Sequence, residues 1–179
     1  GNYHIVTAKI YTDLSLFTCD NRISDDIQQF FNMATGYSSP EKWNSLSVAP
    51  YNLRNDIVSL INNEIEFKKK GKEAEIWLKC NSLIDEIVIN KLYEASSAGV
   101  PVQLMIRGIC CLIPGVKGMS ENIEVVGVVD RFLEHSRVYI FENDASPLIY
   151  ISSADMMTRN IENRVEVACP IYDSDLQEQ

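Results

Sequence analysis

No stretch of the sequence approaches the roughly 18 consecutive apolar residues that a membrane-spanning helix needs. The opening GNYHIVTAKI shows no secretory h-region. There is no C-x-x-C pair and no cysteine–histidine spacing of the kind that holds zinc. Histidine is scarce, with two in 179 residues. Positive charge is short as well: Lys+Arg 16 against Asp+Glu 25 gives a net charge of −9 and a pI near 4.7. Such a balance repels polyanions at long range, which argues against non-specific binding to nucleic acid or to an anionic membrane surface. An anionic ligand then needs a local cluster of cations. The five cysteines are odd in number and have apolar flanks, so they read as reduced thiols of a cytoplasmic protein. A redox switch at the vicinal Cys110–Cys111 is the alternative reading.

What is present is the composition of a globular domain: 46% hydrophobic, 9% aromatic and 23% charged. That is enough to bury a core, and it excludes disorder, collagen and coiled coil. The length predicts one domain or slightly more. Five of the seven arginines (Arg107, Arg131, Arg137, Arg159 and Arg164) lie in the second half of the chain.

Local patterns predict alternating helices and strands. Residues 24–34 read as a helix with Ser24 as N-cap and acids in its first turn. Gly36 to Pro50 reads as a linker. A helix over 53–70, a strand near 74–79, and a helix capped at Ser82 and ending near Gly99 follow. Pro101 opens the strand PVQLMIR; NIEVVGVV and residues 137–141, 148–152 and 164–169 are further strands. This rhythm implies an α/β fold, a mixed or parallel sheet covered by helices. The run Lys68-Lys69-Lys70-Gly71-Lys72 reads as a solvated helix end with Gly71 at C′, rather than as a track for a polyanion.

Of the two histidines, His135 lies in EHSRVYIF, on or just before a strand whose two faces both carry apolar residues. Alternation puts His135, Arg137 and Tyr139 on one face. One reading is a structural histidine bonded to Glu134 or Glu142; the other is an acid or nucleophile toward phosphorus. Fifteen residues after Arg137 stands Ser152-Ser153-Ala154-Asp155, followed by Arg159-Asn160. The arrangement resembles one half-site of the phospholipase D superfamily: H-x-K, four residues, an acid, then a strand ending in G-S-x-N. Arg137 stands in the lysine position, Glu142 is the acid, and S-S-A-D replaces G-S-x-N. In such a site a cation screens phosphoryl oxygens while hydroxyls at a strand end orient them.

Longer stretches carry a more specific likeness. TAKIYTD (7–13), GVPVQLMIRGICCLIPG (99–115), VVDRFLEHSRVYIFEN (128–143) and ISSADMMTRNIENRVEVACPI (151–171) closely resemble the C-terminal catalytic half of the bacterial polyphosphate kinase family. The likeness runs from residue 1 to about 173. That family has a phospholipase-D-like core and makes inorganic polyphosphate reversibly from ATP.

The resemblance implies a phospholipase-D-like mixed sheet flanked by helices. Residues 1–40 would be the truncated tail of a first catalytic half and 41–179 the second. It places nucleotide contacts at Tyr11, Arg107 and His135, makes His135 catalytic, and suggests phosphate contacts at Arg137, Ser152, Ser153 and Arg159. Arg107 also has a physical rationale, since a guanidinium at a strand's carboxyl end can take two phosphate oxygens in its fork. Read without the resemblance, Arg107 is a surface arginine and Tyr11 a core residue. Asn52 and Arg54, at the start of helix 53–70, offer a weaker phosphate site. Gly1-Asn2 matches the end of the family's G-T-G-N turn, so the phosphorylated histidine would lie upstream, and His4 is incidental. On this reading these 179 residues alone make no polymer and bind ATP no tighter than about millimolar. The resemblance further implies Mg²⁺ with ligands upstream, ATP/ADP and polyphosphate as substrates, and a homo-oligomer. Two other readings stand: a phospholipase-D-like phosphodiesterase pairing two half-sites across a dimer, and a non-catalytic anion-binding or oligomerisation module.

Overall fold

The computed structural model describes residues 4–37 and 42–178. After a 3-10 turn at Thr7–Lys9, the elements are β1 (Tyr11–Thr12), α1 (Asn21–Ala34), β2 (Ser47–Ala49), α2 (Leu53–Lys69), β3 (Ile76–Cys80), α3 (Glu86–Ser97) and β4 (Val102–Ile106). β5 (Ile123–Val126), β6 (Leu133–Glu134), β7 (Arg137–Phe141), β8 (Leu148–Ser152), α4 (Thr158–Asn163), β9 (Glu166–Pro170) and α5 (Ser174–Gln177) complete the chain. Seven strands form one mixed sheet in the order β2-β9-β8-β7-β3-β4-β5. β3, β4 and β5 run parallel, the others antiparallel to their neighbours. β1 and β6 pair separately and in parallel.

Side-chain alternation decides what covers each face. Ile76, Leu78 and Cys80 of β3, Val102, Leu104 and Ile106 of β4, and Tyr139 and Phe141 of β7 are buried in one cluster with α2 and α3. α2 presents Leu53, Ile57, Ile61 and Ile65 to it, one residue per turn. On β9, Ala168 belongs to this cluster while its neighbours Val167 and Cys169 pack with Ile23, Phe30 and Met33 of α1. Successive residues of a strand face opposite ways, so α1 covers the other face at the β2–β9 edge. The sheet is therefore flanked by helices on both sides.

Three local expectations need correction. α1 begins at Asn21, not 24: the Asp20 carboxylate accepts from Arg22 N at 2.9 Å, and Ser24 lies inside the helix, its hydroxyl donating to Asn21 O. α3 is capped by Asp85, which accepts from Val88 N at 3.1 Å. Residues 82–85 are held otherwise, Leu83 bridging to both Cys110 and Met156. The stretch 36–50 is not all linker, since Ser47–Ala49 is fully buried as the edge strand β2. Its three residues are too few to show a period. Asp26 fixes the approach to it, its buried carboxylate accepting from the backbone of Asn44, Ser45 and Leu46.

Asn52 and Arg54 do not form a phosphate site. Asn52 accepts from Val48 N and donates to Asp56, and Arg54 is bound to Asp85 and Glu162, each at 2.8 Å. The lysine run ends α2 as read: Lys70 is the C-cap and Gly71 follows at φ +72°, a conformation that favours glycine. Lys69 pairs with Glu66, and Lys72 with Asp144.

The β7–β8 connection takes Asn143, Asp144 and Ala145 through positive φ. It is tied down by Glu64, 1% exposed, which accepts from Asn143 N at 2.8 Å and Glu75 N at 3.1 Å. Burial pushes the Glu64 carboxyl above its ordinary range, against the pull of those two donors. Glu64→Ala is expected to cost about 2–3 kcal/mol by leaving two backbone donors unpaired, read as a lower denaturant midpoint. Because this turn lies at the far end of β7 from His135, turnover of the folded protein should be unchanged.

Candidate active site

One end of the sheet gathers the polar residues. The carboxyl ends of β3, β4 and β8 deliver Asn81, Arg107 and Ser152–Asp155 there, and the amino end of antiparallel β7 delivers Arg137. Carboxyl ends of strands are where α/β sheets present ligand groups. Gly108 lets the chain after β4 pass against that of β3: its N–H donates to Asn81 O at 2.7 Å, and a Cβ there would stand 2.8 Å from the same oxygen. A side chain at 108 would displace Arg107.

His135 is not on the strand but in the short link between β6 and β7. Its partners differ from those expected. Glu134 is taken by Lys79 at 2.6 Å, and Glu142 lies at the other end of β7. The carboxylate on the ring is Asp13, whose Oδ1 is 2.8 Å from Nδ1. The Tyr11 ring meets the imidazole edge-to-face, centroids 4.7 Å apart. Arg137 Nη1 lies 3.2 Å from Nδ1 and 3.1 Å from Nε2, and donates to the His135 carbonyl at 2.8 Å. Nδ1 cannot both donate to Asp13 and accept from Arg137. The Asp13 carboxylate takes the Nδ1 proton, and Arg137 Nη1, nearly equidistant from the two ring nitrogens, lies against the face of the ring rather than at a lone pair.

Arg137 is itself held by a fork. Its Nε and Nη2 donate to the two oxygens of Asp155, each at 3.1 Å, with both side chains nearly nine-tenths buried. Asp155 also accepts from Asn81 N at 2.8 Å and Asn81 Nδ2 at 3.0 Å. Burial works to raise this carboxyl, but Arg137 and the Asn81 donors outweigh it and hold it below the usual range. Asn81 Oδ1 then accepts from Arg107 Nε at 2.9 Å. The chain Arg107–Asn81–Asp155–Arg137–His135–Asp13 is continuous. It also accounts for two of the three departures from H-x-K and G-S-x-N together: the charge added at Asp155 is matched by the fork of Arg137.

Tyr11, His135, Arg137, Ser152, Ser153 and Arg159 line an open cleft of about 600 Å³. Arg107 is not among its walls; it joins through Asn81. The two serines have their protons engaged, Ser152 with Val167 O at 2.9 Å and Ser153 with Glu166 at 2.5 Å, so in this arrangement they shape the strand end. Arg159, in the first turn of α4, is exposed on the cleft wall. Among the described residues no three His, Cys, Asp or Glu side chains gather to hold a metal ion, and no helix is long and apolar enough to cross a membrane. Burial pushes the Cys80 and Cys169 thiols up to about 12 and about 11, which leaves them inert. Asp13 and Asn81 were not singled out from sequence. Asp13 sits 122 positions from His135, and no local spacing relates them.

The model of the polyphosphate kinase C-terminal domain 2 matches residues 46–179, and that of C-terminal domain 1 matches residues 1–40. A polyphosphate kinase of Vibrio parahaemolyticus is 49% identical over 179 residues, all of this chain and 26% of that protein. One from Staphylococcus saprophyticus is 52% identical over 176 residues, 98% of this chain and 24% of that protein. The chain thus spans about a quarter of the length of these curated relatives. The crystal structure of polyphosphate kinase from Porphyromonas gingivalis superposes with a TM-score of 0.95 at 44% identity, over 99% of this chain and 27% of that one. Nuc from Salmonella typhimurium, a phospholipase D family member, superposes at TM-score 0.53 and 18% identity over 75% of this chain and 87% of its own, a likeness of fold alone. The sheet that carries His135, Arg137 and the S-S-A-D end is thus of the phospholipase D kind, and by its matched domains and near-half identity throughout, this chain belongs to the polyphosphate kinase family.

Proposed function

We propose that this chain supplies the second half-site of an ATP–polyphosphate phosphotransferase. The γ-phosphoryl group leaves ADP as its P–O bond breaks and forms a P–N bond to a histidine of the complete gene product, outside these residues. The terminal oxygen of polyphosphate then takes the group from that histidine, and the reverse sequence regenerates ATP. His135 acts across from the phosphorylated histidine: doubly protonated, with its Nδ1–H on Asp13, it gives its Nε2 proton to the oxygen that leaves and stabilises the five-coordinate phosphorus. Arg137 holds the ring and adds positive charge beside it. Arg107 and Tyr11 contact the nucleotide, and Arg159, with Ser152 and Ser153 behind it, contacts phosphate oxygens.

The observation that carries this reading is the His135 ring, anchored by Asp13 and faced by Arg137 on the wall of a cleft that Arg159 also enters. Magnesium accompanies the nucleotide; the described residues offer it no ligand cluster, and no step above rests on it. The gene product is cytoplasmic and assembles as a homo-oligomer.

The test is synthesis of acid-insoluble polymer from ATP by the complete gene product. Within it, Arg159→Ala should raise the KM for polyphosphate about tenfold, the size of one exposed charge-assisted contact of about 1.5 kcal/mol, with little change in kcat. An unchanged KM would remove Arg159 from the site.

A further inference from the structure

We propose that Asn81 is a positioning residue that aims the Arg107 guanidinium at the nucleotide without cancelling its charge; this rests on the reading of Arg107 as a nucleotide contact given above. β3 and β4 run parallel with Cys80 opposite Ile106, so Asn81 and Arg107, the next residue of each, leave the sheet side by side. The main chain fixes their separation, Gly108 N donating to Asn81 O at 2.7 Å. Asn81 is 7% exposed, and both polar atoms of its side chain are engaged. Nδ2 donates to Asp155 Oδ1 at 3.0 Å, and Oδ1 accepts from Arg107 Nε at 2.9 Å.

The amide has one orientation. An ionised carboxylate only accepts and a guanidinium only donates, so a flipped Asn81 would set its oxygen against Asp155 and its amino group against Arg107. Asp155 is itself fixed by the Arg137 fork, which makes Asn81 the link from that buried pair to Arg107. With Nε engaged, the two terminal nitrogens of Arg107 have no partner among the described residues. They form a fork able to take two oxygens of an anion. The acceptor that directs them is neutral. Arg54 and Arg137 lie against carboxylates, whereas Arg107 makes no ion pair among the described residues. Its charge therefore stays available to an anionic ligand, in a chain whose net charge is −9. An aspartate at position 81 would hold the same nitrogen but cancel that charge and repel Asp155.

The experiment is a double-mutant cycle on ATP binding by the complete gene product, read by isothermal titration calorimetry with steady-state kinetics beside it. Asn81→Ala should weaken ATP about tenfold, the loss of one hydrogen bond to a charged group, and Arg107→Met should weaken it at least as much. In the Arg107→Met background Asn81→Ala should add less than about twofold, because it acts through the guanidinium. At saturating ATP, kcat of Asn81→Ala should change less than about threefold, since Asp155 keeps Arg137 and the main-chain donor of residue 81. Asn81→Ser, whose hydroxyl can donate to Asp155 but falls short of Arg107, should show the same loss of affinity, and it carries the test if the alanine variant does not fold. Full additivity of the two substitutions, or unchanged ATP affinity in both Asn81 variants, overturns the proposal while leaving Arg107 as a contact. Unchanged affinity in Arg107→Met overturns the reading of Arg107 itself, and the proposal with it. If the unmodified protein binds ATP but makes no polymer, the phosphotransferase reading alone fails and the cycle still decides the role of Asn81.

Discussion

Alanine at His135 is expected to lower polymer synthesis by the complete gene product on the order of 10²-fold or more while leaving its fold intact. Imidazole is the side chain most often used to move a proton, and His135 is the only histidine among the described residues that line the cleft. It stands in a link between two strands, outside the buried cluster, so its removal opens no core cavity. The loss should fall on kcat, because an interaction made chiefly in the transition state changes turnover more than ground-state affinity. Steady-state kinetics with ATP and polyphosphate, together with circular dichroism, check both halves of the expectation. A decline confined to KM would make His135 a binding residue only.

Asp155→Ala should have the largest effect on stability. The Arg137–Asp155 fork is nearly nine-tenths buried on both sides, and removing one partner of a buried pair strands the other charge at a cost of about 3–5 kcal/mol. Asn81 would lose its acceptor as well. The double variant Arg137→Met with Asp155→Ala should recover most of the denaturant midpoint, since no charge is then stranded, but not the activity. The pair also gives a pH signature. The folded carboxyl lies below its ordinary value, so its contribution is present above the unfolded value of about 3.9 and is lost as pH falls below about 4. Acid titration of the denaturant midpoint should show this loss in the unmodified protein and a smaller one in the double variant.

How far the sequence could be read depended on how local each signal was. The strands 102–106, 137–141 and 148–152 and the helix 53–69 are long apolar or periodic runs, and they stand close to where the patterns place them. β2 reads as linker because three buried residues carry no period; its identity comes from pairing with β9, more than a hundred residues away. Both missed caps are aspartates; before α3 the chain is anchored to Met156 and Cys110, whereas Asp20 caps α1 locally through Arg22 N. At the cleft, Arg137 and Ser152 lie on two adjacent strands joined by a short turn, with His135 just before the first and Ser153–Asp155 just after the second, so their spacing alone suggests that they meet. Asp13 and Asn81 come from elsewhere in the chain, and only the β1–β6 pairing and the end of β3 bring them in. In sequence Asp155 is a substitution for asparagine, and only the fold pairs it with Arg137.

The division of labour between His135 and an upstream histidine is tested most directly by following the phosphoryl group. The complete gene product is incubated with γ-labelled ATP and Mg²⁺, quenched in base, digested and mapped. Acid-labile label on a histidine outside these 179 residues is the expected result, with the peptide containing His135 unlabelled and polymer formation sharply reduced in His135→Ala. Stoichiometric label on His135, or undiminished polymer from His135→Ala, would contradict it.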